Sequence, residues 1–487
     1  MKNIRVITLI LLASIATPTV QAQFTCATNS GAITITGCSG LGGSVIVPAT
    51  LGGLGVTRIG KNAFYNRADL TSVIIPAGIV NIGAYAFKDC SKLTNAALPN
   101  GVTTLGEAAF ENCASLTSAT IPATVANIGE LAFSGCTGLT NVAMPDGLAS
   151  VGMDAFFGCS SLTAVAIPGS VKRFGGYAFK DCIKLTNLTI VSGVTSIGFA
   201  AFQSCGSLTR VTIPGSVTNI GPAAFSDCTN LAALDVDPRN AMYSSIHGVL
   251  FNKSQSRLLQ HSPGIRAGSY AVPGSVTSIG DGAFGGCQNL TNITIPGSVT
   301  HVGDEAFADC SNLTSVTITD GVASLGEGTF WHCSRLASIG IPGSVTNLGA
   351  YAFNGCSGLT NVAITYGIAA IPHDSFNDCG SLAGIGLPGS VTSIGQDAFY
   401  GCSNLTHVVV GRGVTNIEAF AFEDCSRLEQ VRFVGNAPSV SSSAFFSDTD
   451  VRISCVRATR GWSNSFAGRP VGIWIPEVPW SNPDIFK

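Results

Sequence analysis

A phenylalanine recurs every 23 residues along most of the chain, and this period limits the fold more than any other feature of the sequence. An alanine precedes it in fourteen repeats, a cysteine follows three residues later in fourteen, and a leucine follows six residues later in fifteen. The series has sixteen members: Phe64, Phe87, Phe110, Phe133, Phe156, Phe179, Phe202, Phe225, Phe284, Phe307, Phe330, Phe353, Phe376, Phe399, Phe422 and Phe445. A constant period of roughly 20 to 50 residues is typical of stacked repeats. The sequence therefore predicts one solenoid array and not several globular domains.

Each repeat has the pattern of one solenoid coil. Ile293 and Ile295 lie two residues apart, so on a strand both side chains occupy the same face. A Pro-Gly pair then turns the chain, and the Ala-Phe segment suits a short helical or 3₁₀ turn that places the ring in the core. Because one coil cannot bury its apolar face alone, neighbouring coils must stabilise one another.

We predict a mainly β, leucine-rich-repeat type solenoid of about 16 coils with short helical or 3₁₀ turns and a cap at each end. Two repeats illustrate the predicted core columns: Phe87, Cys90, Leu93, Phe307, Cys310 and Leu313. The predicted segments are a signal peptide at 1–22, an N-terminal β cap at 23–53, a first block of repeats at 54–234, an inserted β-hairpin at 235–270, a second block at 271–446, and a C-terminal cap and tail at 447–487.

The first 22 residues have the features of a secretory signal peptide. Lys2 and Arg5 precede an apolar run at residues 6–16, which is too short to span a bilayer. Val20 and Ala22 are small residues at the −3 and −1 positions of a cleavage site. We therefore expect cleavage near Ala22 and a mature protein that is secreted or held at the cell surface.

Composition excludes several classes of function. Only 11% of the residues are charged and the net charge is −3, so the chain lacks the basic face that nucleic-acid binding requires. Beyond the signal peptide, no run of about 18 apolar residues occurs, which predicts no membrane span in the mature chain. We expect a monomer.

The repeat unit I-P-x-x-V-T-x-I-G-x-x-A-F-x-x-C-x-x-L-T-x-V resembles the BspA-type leucine-rich repeat, a 23-residue bacterial version, over residues 54–446. The resemblance implies a curved or twisted solenoid on a secreted or surface-exposed protein. Some members of that family act as adhesins toward host or matrix proteins, so the resemblance also implies binding or adhesion. It does not carry over a ligand.

The period is interrupted once, between Phe225 and Phe284, by two periods and 13 additional residues. Residues 248–251 and 257–260 flank a polar turn, which predicts a β-hairpin that projects from the stack. A cluster of oxygen-bearing side chains precedes it: Asp235, Asp237 and Asn240. A calcium site needs about six to eight oxygen ligands, and this spacing fits no standard calcium loop, so we interpret the cluster as turn residues.

Fourteen of the 17 cysteines occur once per coil. Stacked coils would hold their Cβ atoms parallel and about 4.8 Å apart, beyond the separation of about 3.5–4.5 Å that a disulfide needs. We therefore predict a buried ladder of thiols. Cys26, Cys38 and Cys455 lie off the ladder, and a bridge between Cys26 and Cys38 stays open. No metal or cofactor is expected, since no C-x-x-C pair with a histidine partner recurs.

Nothing in the sequence predicts catalysis. The six histidines do not share an offset within the repeat, and neither a nucleophile-elbow motif nor a phosphate-binding loop is present. We therefore predict that the protein is not an enzyme.

Large side chains that vary between repeats occur one residue after the phenylalanine. Four aromatic residues there are candidate binding-surface residues: Tyr65, Phe157, Trp331 and Tyr400. Tryptophan and tyrosine often anchor protein interfaces, although such rings also cover neighbouring loops. The sequence predicts a secreted or cell-surface protein that mediates protein–protein binding or adhesion. A carbohydrate- or matrix-binding structural component is the alternative, so the expected partner is an unidentified protein or glycan outside the cell.

Overall fold

The structure, a computed structural model, describes residues 23–40, 42–448, 450–457 and 459–475. These residues divide into two compact units, the first ending at Ser245 and the second beginning at Ile246. The predicted signal peptide at 1–22 and the final residues of the predicted tail, 476–487, lie outside the described residues. Within the described ranges, no helix is long and apolar enough to cross a membrane.

Short β-strands build both units. The strands that begin in the first unit are β1 (Gln23–Asn29), β2 (Ala32–Ser39), β3 (Gly43–Ile46), β4 (Thr50–Leu51), β5 (Leu54–Ile59), β6 (Leu70–Ile74), β7 (Asn81–Ile82), β8 (Asn95–Ala97), β9 (Thr104–Leu105), β10 (Ser118–Thr120), β11 (Asn127–Ile128), β12 (Asn141–Ala143), β13 (Ser150–Val151), β14 (Ala164–Ile167), β15 (Arg173–Phe174), β16 (Asn187–Ile190), β17 (Ser196–Ile197), β18 (Arg210–Ile213), β19 (Asn219–Ile220), β20 (Ala233–Val236) and β21 (Tyr243–Ile246).

The strands that begin in the second unit are β22 (Val249–Asn252), β23 (Arg257–His261), β24 (Ser269–Ala271), β25 (Ser278–Ile279), β26 (Asn292–Ile295), β27 (His301–Val302), β28 (Ser315–Ile318), β29 (Ser324–Leu325), β30 (Ser338–Ile341), β31 (Asn347–Leu348), β32 (Asn361–Ile364), β33 (Ala370–Ile371), β34 (Gly384–Leu387), β35 (Ser393–Ile394), β36 (His407–Val410), β37 (Asn416–Ile417), β38 (Gln430–Phe433), β39 (Ser439–Val440), β40 (Arg452–Val456), β41 (Ser465–Phe466) and β42 (Arg469–Trp474).

Equivalent strands of successive coils pair in parallel, so strand partners lie one period apart. Ile293 of β26 pairs with Val316 of β28 in this way. Within β26, Ile293 and Ile295 are buried while Asn292 and Thr294 are exposed. Buried and exposed side chains therefore alternate along the strand with the period of two found in the sequence, as expected for a sheet with one buried face. The prediction of a repeat solenoid is confirmed.

The segment around each phenylalanine is a series of turns and contains no helix, which corrects the expected helical or 3₁₀ turn. In the coil of Phe87, the residues two before and two after the ring, Tyr85 and Asp89, have left-handed φ angles of 58° and 62°. These residues direct alternate N–H groups toward the next coil. The Phe87 N–H donates to Ala109 O at 2.8 Å, whereas the Lys88 N–H donates within its own coil to Tyr85 O at 3.2 Å. A helix would direct all these N–H groups back along its own chain.

The phenylalanine rings stack along each unit. From Phe64 to Phe225 the centroids of neighbouring rings are 4.8–5.6 Å apart and the rings lie 3–13° from parallel. From Phe284 to Phe445 the corresponding values are 4.7–5.4 Å and 3–16°. Phe24 of the N-terminal hairpin meets Phe64 edge-on at 6.5 Å and closes the first stack. The illustrated core residues are all fully buried: Phe87, Cys90, Leu93, Phe307, Cys310 and Leu313.

The cysteines form a column beside the rings. The Cys90 thiol donates a hydrogen bond to the carbonyl oxygen of Phe64 at 3.1 Å, and the Cys113 thiol donates to Phe87 in the same way. Burial raises the pKa of the Cys90 thiol to about 12, which keeps it protonated and able to donate. No disulfide forms among the cysteines, all of which lie in described ranges. In the hairpin register Cys26 faces Ile35, so it is not opposite Cys38.

The inserted hairpin does not project from the stack, which corrects the sequence interpretation. β22 and β23 pair antiparallel, as expected. However, Val249, Phe251 and Leu258 are buried, and β23 also pairs in parallel with β25 of the next coil. The apolar residues of the hairpin therefore extend the core of the second unit, because a projecting hairpin would leave them in water.

His261 takes the place of a stacked phenylalanine, which the sequence analysis missed. It lies one period before Phe284, and the two rings stack with centroids 5.1 Å apart and planes 22° from parallel. The backbone N–H of His261 donates a hydrogen bond to the carbonyl oxygen of Ala283. The backbone N–H groups of the stacked phenylalanines make the same contact with the next coil. Burial lowers the pKa of His261 to about 4, so the ring is neutral at neutral pH.

The residues before the hairpin act in a turn, as the sequence suggested. Asn240 is buried, and its side-chain N–H groups donate to the carbonyls of Pro214 and Val217, both at 2.9 Å. Asp237 pairs with Arg239 at 2.8 Å. These polar groups are therefore satisfied by the chain itself.

Candidate functional site

We call the seven residues from four before to two after each stacked phenylalanine the turn edge. The position one residue after the phenylalanine carries a large side chain in several coils. Tyr65 is 49% exposed, and Phe157, Trp331 and Tyr400 are partly exposed. The structure does not bring the four predicted residues together. Trp331 and Tyr400 are three coils apart, and Trp331 lines a cleft.

The cleft lies in the second unit and has a volume of about 360 Å³. That volume falls in the range of ligand pockets, about 300–1,000 Å³. Three successive coils supply its lining residues: Glu305, Glu327, Gly328, Trp331, His332, Tyr351 and Asn354.

Gly328 creates the gap. It stands two residues before its phenylalanine, with φ of 55°, between Glu305 and Tyr351 at the same offset of the adjacent coils. A Cβ atom at Gly328 would lie 3.4 Å from the Cγ of Glu305 and 3.6 Å from the Cβ of Trp331. A larger residue here would therefore occupy the space between these two side chains.

Neighbouring rings and charges hold the aromatic walls in place. The Trp331 ring stacks on His332 with centroids 4.2 Å apart. The imidazole Nδ1 of His332 lies 3.4 Å from a carboxylate oxygen of Asp309. The Tyr351 ring meets His373 edge-on at 4.9 Å. Such contacts reduce the conformational entropy that these rings would lose on binding a ligand.

The electrostatic environment of the cleft is negative. In the seven coils from Phe284 to Phe422, the turn edge contains eleven carboxylates and no lysine or arginine. The carboxylates are Asp281, Asp304, Glu305, Asp309, Glu327, Asp374, Asp378, Asp397, Glu418, Glu423 and Asp424. The charge of Asp374 raises the pKa of the Tyr351 hydroxyl, with smaller contributions from partial burial and from Glu327.

A second depression, in the first unit, has a volume of about 510 Å³ and is lined in part by Asp235, Asp237 and Arg239. Its charged groups are paired within the chain: Arg239 with Asp237, and Arg210 with Asp235 at 3.0 Å. The pairing with Arg239 lowers the pKa of Asp237 to about 2. In the described part of the chain, no group of three or more His, Cys, Asp or Glu side chains could hold a metal ion. The cleft at Trp331 is therefore the stronger candidate.

The model of the BspA type leucine rich repeat region matches residues 57–184, 150–260, 266–383 and 336–452. The chain belongs to this family. A leucine rich cell surface protein from Faecalibacterium prausnitzii A2-165 is 28% identical, with a TM-score of 0.59, over 83% of this chain and 95% of its own. A leucine-rich repeat protein from Eubacterium ventriosum has the same fold, at 21% identity and a TM-score of 0.51, over 93% of this chain and 97% of its own. No curated protein sequence matches the chain.

Sequence reasoning found Trp331 but missed three residues that make it part of a cleft: Glu305, Glu327 and Gly328. A signal was present in the repeat. A glycine at the offset of Gly328 between two larger residues indicates a gap in a surface column, because residues one period apart lie on adjacent coils.

Proposed function

We propose that this protein is a secreted or cell-surface binding protein whose partners are proteins outside the cell. The cleft at Trp331 carries the proposal, because it joins two aromatic side chains and two carboxylates in one concave site. Tryptophan and tyrosine are enriched among residues that dominate binding energy. The cell-surface location given for the F. prausnitzii relative and the predicted signal peptide support an extracellular site of action.

The exposed face of the strands offers few anchors. Many of its outward positions in the second unit are small, as at Thr294, Gly340 and Ala363. Small side chains bury little apolar area on contact with a partner. The cleft lies on the turn edge, so we assign binding to the cleft. The proposal involves binding alone, without catalysis.

A binding screen with the mature chain, residues 23–487, tests this function. Immobilised protein is exposed to panels of extracellular proteins and of glycans, and dissociation constants are measured for Trp331→Ser and Tyr65→Ser variants. Ser134 occupies the same offset in another coil, so serine fits this position. We expect saturable binding to a protein that weakens at least about tenfold in Trp331→Ser.

The Tyr65→Ser variant is the matched control, since Tyr65 has the same offset in the first unit. Equal loss in both variants would contradict a site at the cleft. Binding confined to the glycan panel would instead support the alternative of a carbohydrate- or matrix-binding surface component.

A further inference from the structure

The first unit shows how this kind of edge accommodates a cation. The Nζ atoms of Lys61 and Lys88 lie 5.3 and 5.7 Å from the ring centroid of Tyr85. The Nζ atom of Lys180 lies 5.3 Å from the ring centroid of Tyr177. Separations below about 6 Å are those of cation–π interactions. Here the chain supplies its own lysines to tyrosines that stand two residues before a stacked phenylalanine.

Carboxylates complete this arrangement in the first unit. The Nζ of Lys88 lies 2.7 Å from a carboxylate oxygen of Glu111. The hydroxyl of Tyr85 donates a hydrogen bond to Glu107. A lysine ammonium group is thus held by an aromatic face together with an acidic side chain.

Tyr351 has the same position in its coil but different neighbours. For Tyr85, Lys61 stands three residues before Phe64, the phenylalanine of the preceding coil. Lys88 stands one residue after Phe87, the phenylalanine of the coil that contains Tyr85. At these two offsets Tyr351 has Glu327 and Asn354. The cleft therefore combines aromatic rings with carboxylates, and its own chain provides no lysine at either offset.

We propose that the cleft at Gly328 binds the ammonium group of a lysine side chain presented by a partner protein. This inference rests on the proposed function and specifies the chemistry of the partner. The rings of Trp331 and Tyr351 provide faces for the cation, and the carboxylates of Glu305 and Glu327 accept charge-assisted hydrogen bonds.

The charge of the surrounding edge favours a cation over a neutral ligand. The turn edge of these coils carries eleven carboxylates, two histidines and no lysine or arginine, so the potential across it attracts positive groups. The raised pKa of the Tyr351 hydroxyl reflects the same negative surroundings. A neutral sugar would gain stacking on the rings but nothing from this potential.

Fluorescence anisotropy with a labelled glycine–lysine peptide tests the inference at physiological ionic strength. The probe contains three lysines separated by glycines, and the comparison peptide has norleucine at each lysine. Two variants of the mature chain alter the cleft, Gly328→Leu and Trp331→Ser. Leu131 has the same offset as Gly328 and a left-handed φ of 57°, so the coil accommodates leucine there.

Two matched controls keep the edge charge unchanged. Gly282→Leu adds the same side chain at the same offset two coils away. Tyr366→Ser removes an exposed aromatic residue outside the turn edge, at an offset where Ser192 stands in another coil. We expect the dissociation constant of the lysine peptide to rise at least about tenfold in both cleft variants and to change less than about twofold in both controls. The norleucine peptide should not bind.

Equal affinities in wild type and Trp331→Ser would overturn the inference, because binding that survives loss of the ring indicates diffuse attraction by the acidic edge. An equal loss in all four variants would also overturn it, because the loss would not be specific to the cleft. Binding of the norleucine peptide would also overturn it. Wild-type protein that captures a partner protein but not the lysine peptide contradicts only this inference. Peptide binding without any protein partner contradicts only the proposed function.

Discussion

The two units repeat the same coil, yet their turn edges differ in charge. In the eight coils from Phe64 to Phe225 the edge contains seven carboxylates and three lysines, whereas the seven coils from Phe284 to Phe422 contain eleven carboxylates and no lysine or arginine. Two tyrosines of the first unit are covered by its own lysines. The same backbone therefore provides a filled or an open cation site, depending on the residues at two offsets.

The core columns also differ. The first unit has phenylalanine at every ring position, and none of its described Asp, Glu, His, Lys or Arg residues is buried. The second unit begins its ring column with His261 and ends its cysteine column with Asp448, and both are buried. The response of stability to pH should therefore originate mainly in the second unit. Four predictions, from the largest effect to the smallest, test these contrasts.

The first prediction concerns what the units share. Phe133→Ala and Phe353→Ala each remove a ring from the middle of a stack and with it the contacts to the rings on both sides. Each should therefore lower the free energy of unfolding by about 3–5 kcal/mol. Urea denaturation followed by circular dichroism measures the change. Costs that differ by more than about 2 kcal/mol would contradict equivalent packing in the two stacks.

The second prediction concerns Asp448, at the cysteine position of the last coil. Burial raises the pKa of its carboxyl to about 7, from an ordinary value of 3.8. Because the folded state holds the proton more tightly, this group lowers stability progressively as pH rises from about 4 to 7, by up to about 4 kcal/mol. Asp448→Asn should remove that decline, and urea unfolding at pH 4 and pH 8 measures it. An unchanged decline in the variant would show that another group is responsible.

The third prediction concerns His261, which should lower stability as pH falls and not as pH rises. Burial lowers its pKa from 6.5 to about 4, so the unfolded state binds the proton first as pH falls. Stability should therefore decrease between about pH 6.5 and pH 4, by up to about 3 kcal/mol. His261→Phe restores the ring of the other coils and should abolish this decrease. Tyr270→Phe, a change in a ring that contacts His261, should retain it.

The fourth prediction concerns a variant that gives Tyr351 a lysine neighbour, as the tyrosines of the first unit have. Asn354→Lys places a lysine one residue after the phenylalanine of the Tyr351 coil, the offset at which Lys180 approaches Tyr177. The new side chain should occupy the cleft and weaken binding of the lysine peptide about tenfold. Asn377→Lys, one coil further along, adds the same charge outside the lining of the cleft. Equal losses in the two variants would mean that net charge alone governs binding.

Much of the fold could be predicted because sixteen copies of the repeat show which residue types each position of the coil prefers. The alternation of Ile293 and Ile295 and the buried columns of phenylalanine and cysteine follow from periodicity alone. The turn at each phenylalanine was harder to predict. Tyrosine at position 85 gives no sequence signal for a left-handed φ, which bulky residues seldom adopt. The turn conformation is set by hydrogen bonds to the next coil, which only the stacked structure provides.

The candidate site was predicted in part. Trp331 stood out because a large aromatic residue varies at a fixed offset, but a list of variable positions does not show which of them adjoin a gap. Gly328 became informative only when Glu305 and Tyr351 were placed on either side of it. His261 was missed for a similar reason, since its ring lies in a segment whose period the insertion obscures.

The sequence by itself determined the coil, its period, its buried columns and its family, because each depends on residue spacing along one chain. The tertiary structure decided where the hairpin packs, which residue replaces a ring in the stack, and where the turn edge opens into a cleft. Those outcomes depend on contacts between residues that are one or more periods apart. Their geometry is set by the left-handed turns and the parallel pairing of coils, which exist only once neighbouring coils have stacked.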